Sequence, residues 1–178
     1  MVKGAFRIGS VSNEITSSFQ IGTKKIFREG LYDYEKLSEH IGKYPVIMIA
    51  PNDVDLVNEG SDARRRFFDS IISQLDSRYL ENLMQYNHAL KQRNSLLKMF
   101  SESGSADWVA VESYDHFLVK FGTSIFERRN EFVKEFLPVF RRFYQFIVEE
   151  NEDTDLEYSC ALTNQDFKEG LDTSRQKD

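Results

Sequence analysis

The sequence predicts an α+β fold dominated by helix, and three periodicities carry that reading. Apolar residues recur at about every second position in the first quarter, at every third or fourth from Ser61 to about residue 150, and at every second again from Leu156 to Leu162. In order, these read as an N-terminal antiparallel β-meander with a buried strand, a long antiparallel helical hairpin, and a C-terminal strand with a short helix. The expected divisions are a β-rich part over 1–60, a helical lobe with the hairpin over 61–150, and a returning strand, short helix and acidic tail over 151–178.

The meander rests on Phe6 and Ile8, then Ile15, Phe19 and Ile21, then Ile26, with turns expected at Ser12-Asn13 and Gly22-Thr23. A short helix over Asp33 to Ile41 puts Tyr34, Leu37 and Ile41 on one face, with Gly42 just past its end. Val46 to Ala50, a continuous apolar run between Pro45 and Pro51, reads as a strand buried on both faces. From Ser61 or Asp62, either of which can cap a helix, Phe67, Phe68, Ile71, Ile72 and Leu75 form one stripe. After a restart at Asp76-Ser77, Leu80, Leu83, Asn87, Leu90, Asn94 and Leu97 alternate by three and four, a heptad-like seam that contains two Asn. A polar tip at 101–105 leads into a second long helix. There Leu118, Phe121, Ile125, Phe132, Phe136, Val139, Phe143 and Ile147 keep the alternation, with a kink expected at Pro138 and a weak point at Gly122. After the acidic link at 151–155, Leu156, Tyr158, Cys160 and Leu162 alternate as a strand, and a short helix follows from Thr163 or Asn164. The last residues, Asp172 to Asp178, are polar and read as a frayed end.

Composition bounds the function. With 40% hydrophobic residues, 15 Phe and 8 Tyr, the 178 residues have enough material for a packed core, which argues against global disorder. The single Cys excludes an intrachain disulfide framework and a Cys-based zinc site, which fits a reducing compartment. No apolar run is long enough to span a bilayer and Met1 to Ser10 has no signal-peptide core, so a cytosolic protein without membrane contact is expected. The net charge of −6 would on its own speak against a nucleic-acid partner. It is unevenly distributed, however. Residues 61–100 carry seven basic against four acidic residues, a local +3, whereas 149–178 carry three against ten, a local −7.

No catalytic or metal site is legible. His40, His88 and His116 are isolated, there is no G-x-S-x-G elbow, and Cys160 falls inside the expected C-terminal strand as a buried thiol. Asp153 and Asp155 lack the Gly and closing Glu of a calcium loop. Neither G-x-x-x-x-G-K-[ST] nor G-x-G-x-x-G occurs, so nothing cradles a triphosphate. Two basic clusters remain. Arg64, Arg65 and Arg66 lie in the first turns of a helix, where cations oppose the helix dipole. They either meet an anion such as DNA phosphate, or pair with Asp62 and Asp69 and pack by their stems. Lys91, Arg93 and Lys98 either follow a phosphate backbone or form a solvated outer face.

Two blocks resemble a known family. Tyr44-Pro45-Val46-Ile47-Met48-Ile49-Ala50-Pro51-Asn52-Asp53-Val54-Asp55-Leu56-Val57, then Gly60, then Arg64-Arg65-Arg66-Phe67-Phe68-Asp69, is similar to the bacterial recombination and repair family RecF. So are Tyr79-Leu80 and the run from Tyr86 to Lys98, which matches that family's Y-x3-L-x-Q-R-N-x-L-L-K stretch. Weaker similarity extends from Ala5 to about Arg175, in other words over nearly the whole chain. The resemblance implies an ABC-type ATPase head of the SMC-like, P-loop NTPase kind. Such a protein dimerises around ATP and magnesium, binds DNA at gaps, works with RecR and RecO, promotes RecA loading and takes part in the SOS response. It further implies that Walker A precedes the matched part while the signature motif and Walker B follow it, so this chain is expected to be a central fragment, inactive alone as an ATPase. Asn52 and Asp53 lie roughly where related ATPases place the Q-loop Gln, which makes them candidates for nucleotide sensing; a turn after a strand is the other reading. A non-enzymatic helical-hairpin module for protein–protein interaction is the alternative function.

Overall fold

A computed structural model describes the chain except for residues 20–21, 23–24, 105–106, 149–151, 161–165 and 175–178, and of Asn52 only the backbone is described. It divides into two compact units, Met1–Ser77 and Arg78–Asp178, so the first helical segment belongs with the sheet.

In the first unit, β1 (Val2–Ile8), β2 (Val11–Ser18), β3 (Ile26–Glu29) and β4 (Tyr32–Asp33) form the expected antiparallel meander in sequential order. Its first turn lies at Gly9-Ser10, between Ile8 and Val11, whereas Ser12 and Asn13 pair within β2. Gly22 lies in the β2–β3 connection; its neighbours Ile21 and Thr23 fall outside the described residues. Ile15 is the buried apolar side chain of the sheet, while Phe19 is exposed. The helix expected over Asp33 to Ile41 is a single 3-10 turn, Leu37–Glu39, and its Glu39 side chain accepts from the Lys36 amide at 3.3 Å.

Aromatic rings replace the missing helix as packing. Phe27 meets the His40 ring at 4.5 Å, and Tyr44 meets Phe6 at 4.8 Å. At their centre Glu29 accepts from the hydroxyls of Tyr34 and Tyr44, the latter at 2.5 Å, and pairs with Lys43. Chiefly through the Lys43 ammonium, then the two hydroxyls, the Glu29 carboxyl is held down at about 2. Burial also holds His40 below its usual value, which for a base disfavours the charged form. Gly42, at φ 85°, makes the close approach to α2 (Ser61–Leu75): a Cβ there would lie 2.6 Å from the Gln74 carbonyl oxygen.

The expected buried strand at Val46 to Ala50 does not form. This run has no regular secondary structure, and Ile47, Met48 and Ile49 are 92%, 82% and 87% exposed. A strand needs a neighbour to satisfy its backbone, whereas the Val46 amide donates to the Gln74 side chain at 3.0 Å. A 3-10 turn (Pro51–Val54) and a four-residue helix, α1 (Asp55–Asn58), lead into α2, whose N-cap position is taken by Gly60 rather than Ser61 or Asp62. Of the stripe read from the sequence, Ile72 is fully buried, whereas Phe67 and Leu75 are exposed.

The second unit is built on α3 (Ser77–Ser103) and α4 (Trp108–Ile147). The turn between them has Gly104 at φ 68°, and Asp107 caps α4 by accepting from the Ala110 amide at 3.1 Å. At ~1.5 Å per residue, the 40 residues of α4 run continuously through Pro138 for ~60 Å. Val111, Leu118, Ile125 and Phe132, each seven residues from the next, are all buried. The outer part of the expected α4 seam is not: Val139, Phe143 and Ile147 are exposed.

On α3 the seam differs from the one the spacing suggests. Leu83, Leu90 and Leu97 are half-buried as expected, but Asn87 and Asn94 face solvent. Tyr79 and Arg93 are buried and Tyr86 is half-buried, one residue before the expected Leu80, Asn87 and Asn94. Leu80 is buried too. The reason is that α4 supplies polar partners: Arg93 Nε donates to Asp115 Oδ1 at 2.6 Å, and Arg129 Nε bonds the Tyr79 hydroxyl oxygen at 3.1 Å. Large side chains with satisfied tips bury more apolar surface than a short amide does.

Residues 152–160 keep the predicted alternation, with Thr154, Leu156, Tyr158 and Cys160 half-buried, yet form no strand. Side chains of α4 hold this segment in place of a neighbouring strand. Arg141 Nε donates to the Thr154 carbonyl at 2.9 Å, Arg129 Nη1 donates to the Tyr158 hydroxyl at 3.2 Å, and Tyr144 donates to Glu152 at 3.0 Å. Leu162 and the expected helix start at Thr163 or Asn164 lie outside the described residues. α5 (Phe167–Ser174) packs on α4 where Gly122 leaves room: a Cβ at Gly122 would overlap the Phe167 ring. Gly122, expected as a weak point in the helix, is therefore a seat for α5.

Two outcomes follow. Arg93→Met removes the charge that compensates buried Asp115 and should cost about 3–5 kcal/mol in urea unfolding, whereas Arg93→Met with Asp115→Leu should recover most of it. Because the Glu29 carboxyl sits at about 2, below its ordinary 4.5, its contribution is complete above 4.5 and lost as pH falls from there toward 2. Protection of the β2 and β3 amides against exchange, taken relative to their intrinsic rates, should fall over that window, and Glu29→Gln should remove that part of the pH dependence.

Candidate nucleic-acid interface

The first basic cluster is largely occupied by its own unit. Arg64 Nη1 reaches back to the carbonyl oxygens of Leu56 and Glu59, both at 3.0 Å, so it neutralises the negative end of the α1 turn. Arg65 pairs with Asp62. Arg66 is held only loosely, 3.9 Å from Glu59, with 74% of its side chain exposed. The anion that the unfavourable N-terminal placement calls for is thus supplied locally for Arg64 and Arg65.

The candidates for nucleotide sensing lie in the 3-10 turn before α1. Asp53 Oδ2 accepts from the Ala50 amide at 2.7 Å while the Asp53 amide donates to the Ala50 carbonyl at 2.9 Å. Its carboxylate closes a turn, and Asn52 is its backbone neighbour in that turn.

The second cluster is split by the helix. Arg93 faces the hairpin interior at 5% exposure, which corrects its reading as a surface cation, whereas Lys91 and Lys98 are exposed. His88, Asn87, Asn94 and Ser95 are exposed beside them. The Ser95 hydroxyl bonds the Lys91 carbonyl at 2.9 Å, as helix serines do.

Other features of the second unit were not singled out in the sequence. Arg129 and Arg141 hold the returning segment, and Arg129 also lies over the Tyr158 ring at 5.9 Å. Burial raises the Tyr158 and Tyr86 hydroxyls above their ordinary value, with the Arg129 charge opposing the shift in both. The available signal was their position on the heptad of α4: Arg129 stands four residues after buried Ile125, on the seam. A small cavity of about 110 Å³ between α4 and α5 is lined by Glu112, Asp115, His116, Val119, Lys168, Leu171 and Asp172. Among the described residues no cluster of His, Cys, Asp or Glu is placed to hold a metal, and no helix is long and apolar enough to cross a membrane.

No family model matches the chain. Curated proteins do. The chain is 41% identical over 157 residues to the DNA replication and repair protein RecF of Cytophaga hutchinsonii, a match covering 88% of this chain and 42% of that protein. With RecF of Parabacteroides distasonis the identity is 39% over 178 residues, covering 100% and 48%. A solved structure described as the recombination mediator protein RecF-ATPrS in the RecFOR pathway has a TM-score of 0.83 at 25% identity, over 98% of this chain and 48% of that one. A second, described as RecF-ATP, has the same fold with a TM-score of 0.75 at 24% identity, over 93% and 45%. Nearly the whole chain is thus matched in sequence and in fold, and it spans a little under half the length of the curated relatives: it is a homologue of the DNA replication and repair protein RecF.

Proposed function

We propose that the chain forms the hairpin-bearing helical lobe, with part of the adjoining β structure, of a RecF-like DNA-binding ATPase. In this reading the complete protein acts in recombinational repair and replication in the cytoplasm, at the nucleoid. It binds gapped, double-stranded or single-stranded DNA, dimerises around ATP with magnesium, and promotes RecA loading with RecO and RecR. The observation that carries the reading is agreement in fold over 98% of the chain with a recombination mediator solved with a nucleotide. Names of curated relatives that speak of DNA replication and repair support it.

The residues present do not fit the nucleotide itself. The sequence has no Gly-rich phosphate loop, and the described residues offer no metal-ligating cluster. ATP and magnesium are accordingly assigned to other parts of the complete protein, and no catalytic step to this chain. What this chain supplies is a stiff helical pair whose outer surface carries Lys91 and Lys98. A module that touches only protein is the second reading, favoured by the exposed Phe143, Phe146 and Ile147 near the end of α4.

Fluorescence anisotropy of the chain with a gapped duplex should give binding that weakens with salt, by a slope of about 0.9 per phosphate contact in log-log form. Salt-insensitive binding, or none, with light scattering that shows concentration-dependent self-association would favour the protein-only module.

A further inference from the structure

We propose that the outward strip of α3 formed by Asn87, His88, Lys91, Asn94, Ser95 and Lys98 is the surface by which this chain holds DNA phosphates. This rests on the DNA-binding reading above and narrows it to one face. All six side chains are exposed. Asn87, Lys91, Asn94 and Lys98 step by four, three and four, so they share one side of the helix, with His88 and Ser95 flanking it. Buried Tyr79, Ala89 and Arg93 occupy the other side.

Three features of the strip suit phosphate. First, no acidic residue occurs from Asn82 to Ser101, twenty consecutive positions in a chain with 29 acids among 178 residues, where about three would be expected at random. The exposed surface of α4 mixes both signs, with Glu112, Glu127, Glu131 and Glu135 beside Lys120, Lys134 and Arg142, and the returning segment carries Glu152, Asp153, Asp155 and Glu157. A polyanion brought to the second unit therefore meets least repulsion on α3. Second, no ion pair among the described residues holds the Lys91 or Lys98 ammonium, in contrast to Arg64 and Arg65, which are spent on carbonyls and on Asp62. Third, the Asn94 side-chain amide lies between the two lysines and that of Asn87 lies one turn before Lys91. Such groups donate to phosphate oxygens and position a duplex without reading its sequence.

The dimensions agree. Seven residues separate Lys91 from Lys98, about 10 Å along the helix. One strand of a duplex carries a phosphate about every 3.4 Å of axis, so the two ammonium groups reach phosphates roughly three apart. The two Asn displaced from the hairpin seam thereby gain a role: they extend the donor row at both lysines.

The test uses the full chain and a fluorescein-labelled gapped duplex, titrated at several salt concentrations between 50 and 200 mM. Lys91→Ala with Lys98→Ala should lower the salt slope by about two units and weaken binding at the lowest salt by roughly tenfold or more. Asn87→Ala with Asn94→Ala should weaken binding severalfold at an unchanged slope, and Arg66→Ala should change little. Circular dichroism keeps the comparison to folded variants, since all these positions are exposed. Wild-type affinity and slope in the folded Lys91, Lys98 double variant would overturn the strip while leaving DNA binding itself standing. Absence of DNA binding by the wild type at 50 mM would overturn both. Polyglutamate that displaces DNA at equal charge concentration, and loses that ability in the double variant, would overturn the nucleic-acid assignment in favour of an acidic protein.

Discussion

A guanidinium and a carboxylate shut inside the hairpin decide how α3 lies along α4. Fourteen residues separate Tyr79 from Arg93, and fourteen separate Asp115 from Arg129. Both pairs therefore belong to one antiparallel register centred on the turn at Gly104. The apolar rows alone, Val111, Leu118, Ile125 and Phe132 on one helix and Leu83, Leu90 and Leu97 on the other, repeat every seven residues and fit nearly as well after a slip of one heptad. Such a slip would set Asp115 opposite Tyr86 or Phe100 and leave a buried charge uncompensated, at a cost of several kcal/mol. The ion pair thus acts on choice of alignment as well as on stability.

From that alignment the remainder of the second unit follows. With Asp115 and Tyr79 fixed, Arg129 is placed so that one edge of its guanidinium serves the hairpin and another reaches Tyr158 of the returning segment. Arg141, twelve residues further along α4, satisfies the backbone of the same segment at Thr154. An extended chain that has no strand beside it can still satisfy a carbonyl when an arginine stem lies along a helix and presents its head. The Phe132, Phe136, Phe140 and Tyr144 rings, stepping by four with centroids 5.7 to 6.0 Å apart, line α4 from just after Arg129 to just past Arg141.

The sequence was most readable where a single period ran for many residues. The meander, the helix pair, the polar tip and the inward row Leu118, Ile125 and Phe132 all emerge from spacing alone. It misled where polarity had to stand in for burial. Asn87 and Asn94 looked like seam residues because Leu neighbours lay at the right intervals, yet the true seam residues, Tyr79 and Arg93, carry polar tips whose partners lie 50 and 22 positions away. No local pattern reveals a partner at that distance. Val46 to Ala50 misled in the opposite sense. Its apolar run has strand composition, but a strand is defined by what pairs with it, and among the described residues nothing pairs along it. For the candidate site, the residue types were legible and their availability was not. Arg64 and Lys91 look alike in a sequence; only the geometry distinguishes a cation closed on backbone carbonyls from one turned to solvent.

Gly122 brings a different constraint into view. The ring of Phe167 occupies the space where any other L-amino acid would begin its side chain. Every heritable replacement of a glycine adds at least that one carbon, so variation at this position has no graded series of small steps to explore. Size can be traded between neighbours elsewhere along α4, one methylene against another. At Gly122 the change is discrete: it must coincide with a change at residue 167, or α5 must find another place to lie.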